Sequence, residues 1–281
     1  MSSVSTSTSH ALPPAPTSSA EPELDTDATA HRGSRGIQSV EVGGQLLKAL
    51  AHTGRRMALK DLARDAGMTA AKAHPYLVSF GKLGLIEQDP ASGHYGLGPL
   101  ALQLGLISLQ QADPIRLAMQ ALPDLALRVG ATVGIAVWGT RGPTVIAVED
   151  GPTDVHVAMR HGTNASVRHT ASGKVFAAHL PHDKVAAALA ADGDANALED
   201  PAFVAELAQI RDQQLSVVRD QLVPGIAAVA VQVFDGLGRL ALCFTAIGPS
   251  ATLDPQPGGG CARTLQETAR QLSSKLGARA K

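Results

Sequence analysis

Two stretches of this chain hold residue types whose spacing suits recognition chemistry. Thr69-Ala70-Ala71-Lys72-Ala73-His74 sets a hydroxyl, a cation and an imidazole among small residues. At the start of a helix, alanines permit close approach to a base edge and can meet a thymine methyl, while Lys72 and His74 can donate to a phosphate or a guanine. Arg55, Arg56 and Lys60 lie just ahead, and Ser92 and His94 further on; all are candidate phosphate contacts. The second stretch is Thr170-Ala171-Ser172-Gly173-Lys174. As enzyme chemistry it would offer Ser172 as nucleophile and Lys174 as base. It lacks the preceding GxxxxG of a phosphate loop, and serine at a helix start is more simply a cap. The start of a helix there presents free N–H groups and a positive dipole end, which suits a carboxylate. His156, His161 and His169 have no metal-ligand spacing, and Cys243 and Cys261, the only cysteines, match no zinc or CxxC pattern. No catalytic residue, metal or cofactor is assigned.

The elements that must position these residues follow from periodicity. Leu59, Leu62, Ala63 and Ala66 share one helical face, Gly67 breaks it, and Thr69 can cap a second helix with Tyr76, Leu77, Phe80 and Leu83 on its buried side. That is the helix-turn-helix order, in which the second helix enters the major groove. Gly84 ends it. Leu85 to Gln88 and His94 to Leu97 then flank the turn-rich Asp89 to Gly93, a hairpin wing. Pro75 conflicts with this placement. It has no N–H for the Ala71 carbonyl, so the helix should either kink or begin at Pro75.

At 281 residues the chain suggests about two domains, with 44% hydrophobic content for sizeable cores but only 3% aromatic residues, so Ala, Val and Leu must fill them. The net charge of -1 excludes a polybasic nucleic-acid binder. Residues 35 to 98, however, hold eight Lys and Arg against five Asp and Glu, as expected if one end alone meets phosphates. No apolar run could span a membrane and no secretory signal opens the chain, so a cytoplasmic protein with reduced thiols is expected.

Residues 1 to 36 are rich in Ser, Thr, Ala and Pro and read as a disordered tail, with Arg32 and Arg35 near its end. Ile37 to Ala51 reads as a first helix weakened at its start by Gly43 and Gly44. Pro99 opens a helix, LALQLGLISLQQ, that is apolar all round; such a helix is rarely left in water and should pack against a second copy of itself. After Asp113-Pro114 an amphipathic helix runs to Val129. The remainder reads as strands near 132–138, 144–149, 155–159, 215–218, 226–234 and 240–246, with helices from Thr170, near 184–190 and 201–214, and from Cys261. Hairpin-length links make this an α+β domain on a largely antiparallel sheet. Gln232, Cys243 and Thr245 are polar or thiol groups on apolar strands. Alternation puts Cys243 and Thr245 on one face, a candidate pocket wall.

In order and spacing these segments resemble the IclR family of bacterial transcriptional regulators. The matching residues are Ile37-Gln38-Ser39-Val40-Glu41, Leu62-Ala63 through Ala66-Gly67-Met68, Gly84-Leu85-Ile86 followed by Tyr95-Gly96-Leu97-Gly98, and Thr170 to Lys174. Pro224-Gly225-Ile226-Ala227, Val231 to Asp235 and Gly248-Pro249 continue the match. The resemblance covers about residues 37 to 275 and implies a winged helix-turn-helix domain (37–98), a linker helix (99–114) and a GAF-like effector-binding and oligomerisation domain (115–281). It implies a homodimer or homotetramer that binds operator DNA and responds to a small metabolite, a carboxylate or aromatic acid suiting the helix start. It places the cavity between the sheet and the segment Ala171, Ser172, Gly173, and brings in Asp220 as the acidic residue before the Pro-Gly turn. Arg is expected where Pro75 stands. The rival classes are a sensory or structural GAF-type dimer with degenerate DNA binding, and an enzyme acting on a small molecule.

Overall fold

The computed structural model describes residues 36–153, 157 and 159–278. The expected tail, with Arg32 and Arg35, and most of the expected strand at 155–159, His156 included, lie outside the described residues. Residues 36–42 supply the start of the first helix, and residues 43–278 belong to one compact unit.

Three helices, α1 (Gln38–Thr53), α2 (Leu59–Asp65) and α3 (Ala70–Lys82), enclose a small core. Leu46, Ala49 and Leu50 recur at helical spacing on α1 and meet Leu62 and Ala63 of α2 and Ala73 and Leu77 of α3. Gly43 lies inside α1 rather than weakening its start. A Cβ there would stand 2.8 Å from Tyr76 Cδ1 and 3.0 Å from Phe80 Cζ, so the absent side chain lets the α3 rings reach the helix. The α2–α3 turn depends on Gly67, at φ +68°, a left-handed conformation other residues adopt at a cost. Strands β1 (Ile86–Gln88) and β2 (Tyr95–Leu97) pair antiparallel, Ile86 opposite Leu97, and Tyr95 also bridges to Met57.

Next come α4 (Pro99–Gln111) and α5 (Pro114–Val129). No residue of α4 is buried within the chain. Asp113 accepts a hydrogen bond from the Arg116 N–H and caps α5, and Pro114 fills its first turn, where no N–H is needed. Strands β3 (Thr132–Gly139), β4 (Gly142–Glu149), β5 (Ser216–Arg219), β6 (Ile226–Phe234) and β7 (Leu240–Pro249) form one sheet in the order β4-β3-β7-β6-β5, antiparallel throughout. Both faces are covered, as the long apolar strands require. On one face Val133, Ile135, Val229, Val231 and Phe244 meet α5 and the last helix, α9 (Gly260–Lys275). On the other, Ala136, Ala230 and Cys243 meet α6 (Ala171–His179), α7 (His182–Ala191) and α8 (Pro201–Gln213). The alternation is uneven in size: the α6 side of the sheet carries Gly134, Ala136, Ala228 and Ala230, which leaves space above it.

Thr170 caps α6. Its Oγ1 accepts from the Gly173 N–H at 3.0 Å and donates to the Ser166 carbonyl at 2.7 Å. Gly173 is pressed on that same loop, where an added Cβ would meet Ser166 O at 2.1 Å and Val167 Cα at 2.7 Å, both backbone atoms that cannot swing away. Gly173→Ala should therefore lower stability by about 1–3 kcal/mol, read as a drop in Tm. An unchanged Tm would mean that the loop yields without cost.

Candidate nucleic-acid interface and ligand cavity

Helix α3 begins at Ala70, with Thr69 as its cap accepting from the Lys72 N–H at 3.3 Å, and Pro75 stands inside it. The alternative that the helix starts at Pro75 is thus corrected: capping and the burial of Ala73 and Leu77 hold the first turn helical despite the missing bond. Opposite that buried side, Ala71, Lys72, His74, Pro75 and Val78 are exposed. The exposed ridge mixes apolar and basic groups. Tyr76 is half-buried against the core, as expected. Arg55 and Lys60 are exposed and make no ion pair among the described residues, whereas Arg56 is bound to Glu87 of the wing at 2.5 Å. Ser92 shapes the wing tip. Its Oγ donates to Asp89 Oδ2 at 2.7 Å and accepts from the His94 N–H at 3.3 Å. The Ser92 hydroxyl and the Ala91 N–H hold the Asp89 carboxyl below the usual range. His94 is exposed beside it.

The space above the small-residue strip is a cavity of about 660 Å³. Its floor is Gly134, Ala136 and Ala228, with Thr245 beside Gly134 in the ladder. Ala171 and Ser172 at the start of α6 form one wall, Leu222 and Val223 another. Ser172 is buried, and its hydroxyl has only a 3.4 Å contact with Thr170 Oγ1, whose own proton goes to Ser166. Of the residues expected at an effector site, Ala171, Ser172 and Thr245 line this cavity. Gly173, Asp220, Gln232 and Cys243 do not. Gly173 faces the Ser166–Val167 backbone. Asp220, at φ +55°, turns its carboxylate to the Gly225 N–H at 2.7 Å and the Ser250 hydroxyl at 3.1 Å, holding the Pro-Gly turn. Gln232 is buried on the cavity face but at its far end, donating to Gln214 Oε1 at 2.6 Å. Cys243 shares a face with Thr245, as alternation required, with Sγ 3.5 Å from Thr245 Oγ1. It is sealed off, and burial pushes its thiol up to about 12, far from a reactive thiolate.

Sequence reasoning missed Met159, Arg160, Thr163 and Asn164, which close the cavity from the long connection between β4 and α6. The available signal was length. A connection of some twenty residues in a compact domain is usually functional. The same connection is anchored by charge: Arg168 binds Asp200 at 2.6 Å, His169 meets Asp194 at 3.2 Å, and Asp192 accepts from the Val167 N–H at 3.0 Å. Lys174, next along α6, is buried and donates to Glu206 at 2.6 Å and to Gln221 at 3.0 Å.

A winged helix-turn-helix followed by an antiparallel sheet with a ligand-sized cavity defines a class of DNA-binding regulators, and the comparisons agree. The family profile described as "Bacterial transcriptional regulator IclR C-terminal" matches residues 107–274, and "IclR helix-turn-helix domain" matches residues 39–90. The chain is 29% identical over 258 residues to the glycerol operon regulatory protein of Streptomyces coelicolor, covering 87% of this chain and 98% of that protein. It is 26% identical over 248 residues to the HTH-type transcriptional regulator XynR of Escherichia coli, covering 86% and 98%. The crystal structure of Pseudomonas aeruginosa HmgR is similar with a TM-score of 0.79 and 35% identity, covering 87% of this chain and all of that one. The chain belongs to the IclR family of bacterial transcriptional regulators.

Inside α3, Pro75 withholds one helical hydrogen bond on an exposed face where Arg would fit freely. Pro75→Arg should raise stability by about 1–3 kcal/mol and tighten operator binding with a steeper salt dependence. Thermal melts and gel shifts across a salt series check this. A lower Tm, or unchanged affinity, would show that proline is a fitted part of the head.

Proposed function

We propose that this regulator binds operator DNA through α3 and the wing, and that a small metabolite held in the cavity above the sheet changes that binding. The observation that carries the reading is the coexistence, in one chain, of a basic reading head and a separate cavity large enough for a metabolite. Lys72, His74, Arg55 and Lys60 are the proposed DNA contacts with Thr69, Ala70 and Ala71 giving close approach. Arg56, Ser92 and His94 act in the wing, Arg56 through Glu87. Ala171, Ser172 and Thr245 are the proposed effector contacts.

The working form is a homo-oligomer built on α4. Leu102 is 66% exposed and Leu106 53% exposed, with Leu104, Ile107 and Leu109 around them. A helix so apolar on every side, with none of its residues buried, fits a second copy of itself. Two heads joined in this way match two half-sites, and effector binding shifts the population between arrangements that fit the operator and arrangements that do not. The action is regulatory and cytoplasmic, with no catalysis.

Gel shifts on DNA upstream of the protein's own and adjacent genes test the reading. Lys72→Ala should lower affinity and, if the contact is to phosphate, reduce the salt slope by about one unit. No sequence-specific shift at any salt would overturn the regulator reading for this chain. Leu102→Glu combined with Leu106→Glu should leave a folded chain of monomer mass in analytical ultracentrifugation. An unchanged oligomer would place the seam elsewhere.

A further inference from the structure

We propose that the outward row of α3 reads the C5-methyl groups of thymine, and that Val78 is the side chain on which this readout depends. This rests on α3 being the helix that enters the major groove. Ala71, Pro75 and Val78 follow at spacings of four and three, so they stack along one line of the helix. That line lies opposite Ala73 and Leu77, which are 0% and 2% exposed. It is therefore the line that a groove would meet first. Val78 is 44% exposed, a large apolar side chain left in water on this face.

The residues that α3 lacks point the same way. It holds no Arg, Asn, Gln, Asp or Glu. Those are the side chains that pair most specifically with guanine, adenine and cytosine edges. On the exposed side the polar groups are Thr69 at the cap, Lys72, His74, Ser79 and Lys82. Thr69 Oγ1 accepts from the Lys72 N–H, and the Ser79 hydroxyl donates to the Pro75 carbonyl at 3.0 Å. By helical spacing Lys72 and His74 flank the row on opposite sides and Lys82 ends it, which suits phosphates along the groove or a guanine at its margin. The centre of the row offers hydrocarbon alone. In the major groove the apolar group on a base edge is the thymine methyl. Contact between that methyl and Val78 takes apolar surface out of water on both sides. A cytosine amino group or a purine acceptor in the same place would lose its hydration with no hydrogen bond in return. The row therefore favours thymine, and it fixes which strand carries it, since T·A and A·T place the methyl differently in the major groove.

The probe is a duplex enriched by the full chain from a random-sequence DNA library. The duplex is remade with deoxyuridine for thymidine, one position at a time, which removes only the methyl group. Binding should fall about fourfold at each position that the row covers, the loss expected for one buried methyl-sized group. Val78→Ala removes two methyl groups at an exposed helical position that alanine suits well, and circular dichroism confirms that the variant is folded. It should erase the preference for thymine over uracil at one of these positions and leave the others. Equal binding of thymine and uracil duplexes by the wild-type chain, or a preference that survives Val78→Ala at every position, would overturn the methyl readout and leave the operator reading standing. If the library yields no enriched sequence, the operator reading falls and this proposal with it.

Discussion

A buried ammonium group holds the ligand-binding half of this molecule together. Lys174 is 3% exposed and donates to Glu206 on α8 and to Gln221 in the turn before β6. Removing a cation from water is costly, and the cost is offset only if its partners stay in place. Three segments are therefore tied to one atom: the first turns of α6, the middle of α8 and the turn that presents Leu222 and Val223. The walls of the cavity cannot drift apart while that nitrogen is satisfied. Gly173 and Thr170 make the complementary constraint on the inner side, pressing α6 on the Ser166–Val167 backbone.

The two halves of the chain solve different problems with the same restricted alphabet. With few aromatic residues, the head packs Leu and Ala around α1 and admits two rings through Gly43. The sheet uses bulk on one face and small residues on the other. Val, Ile, Leu and Phe fill the α5–α9 side, while Gly and Ala leave the α6 side open. The cavity is thus a direct product of residue size along β3 and β6, and not a gap left by poor packing.

Local physics made much of this legible in the sequence. Gly67, Thr69 and Gly84 act through their own backbone and side-chain bonds, so the turn, the cap and the helix end could be read one residue at a time. The antiparallel sheet followed from β-rich runs joined by short links. The cavity was harder. Alternation assigned Cys243 and Thr245 to one face correctly, but the position of the cavity along that face depends on which strands lie beside it. Thr245 pairs with Gly134, and that pairing leaves room above it. Cys243 pairs with Ala136, lies under α6 and is covered. Asp220 carried a polar signal that belonged to a turn. Arg160 carried no local signal, since only tertiary folding brings its loop to the cavity. Pro75 shows the opposite failure. A strong local rule allowed two outcomes, and the cap at Thr69 and the buried face of α3 decided between them.

The sheet also stands between the cavity and the helices that lead back to the DNA-binding head. Under the proposed effector site, a ligand above Gly134 and Thr245 would touch one side, while α5, joined to α4 through Ala112 and Asp113, rests on the other. No side chain crosses from one to the other. The neighbours of those two residues in the chain, Val133, Ile135, Phe244 and Ala246, are the ones packed on the α5 side. Any displacement of the floor would therefore reach the helices as a change in the pitch and twist of the β3–β7 ribbon. In mechanical terms the ribbon is a diaphragm, with the cavity on one side and a lever resting on the other.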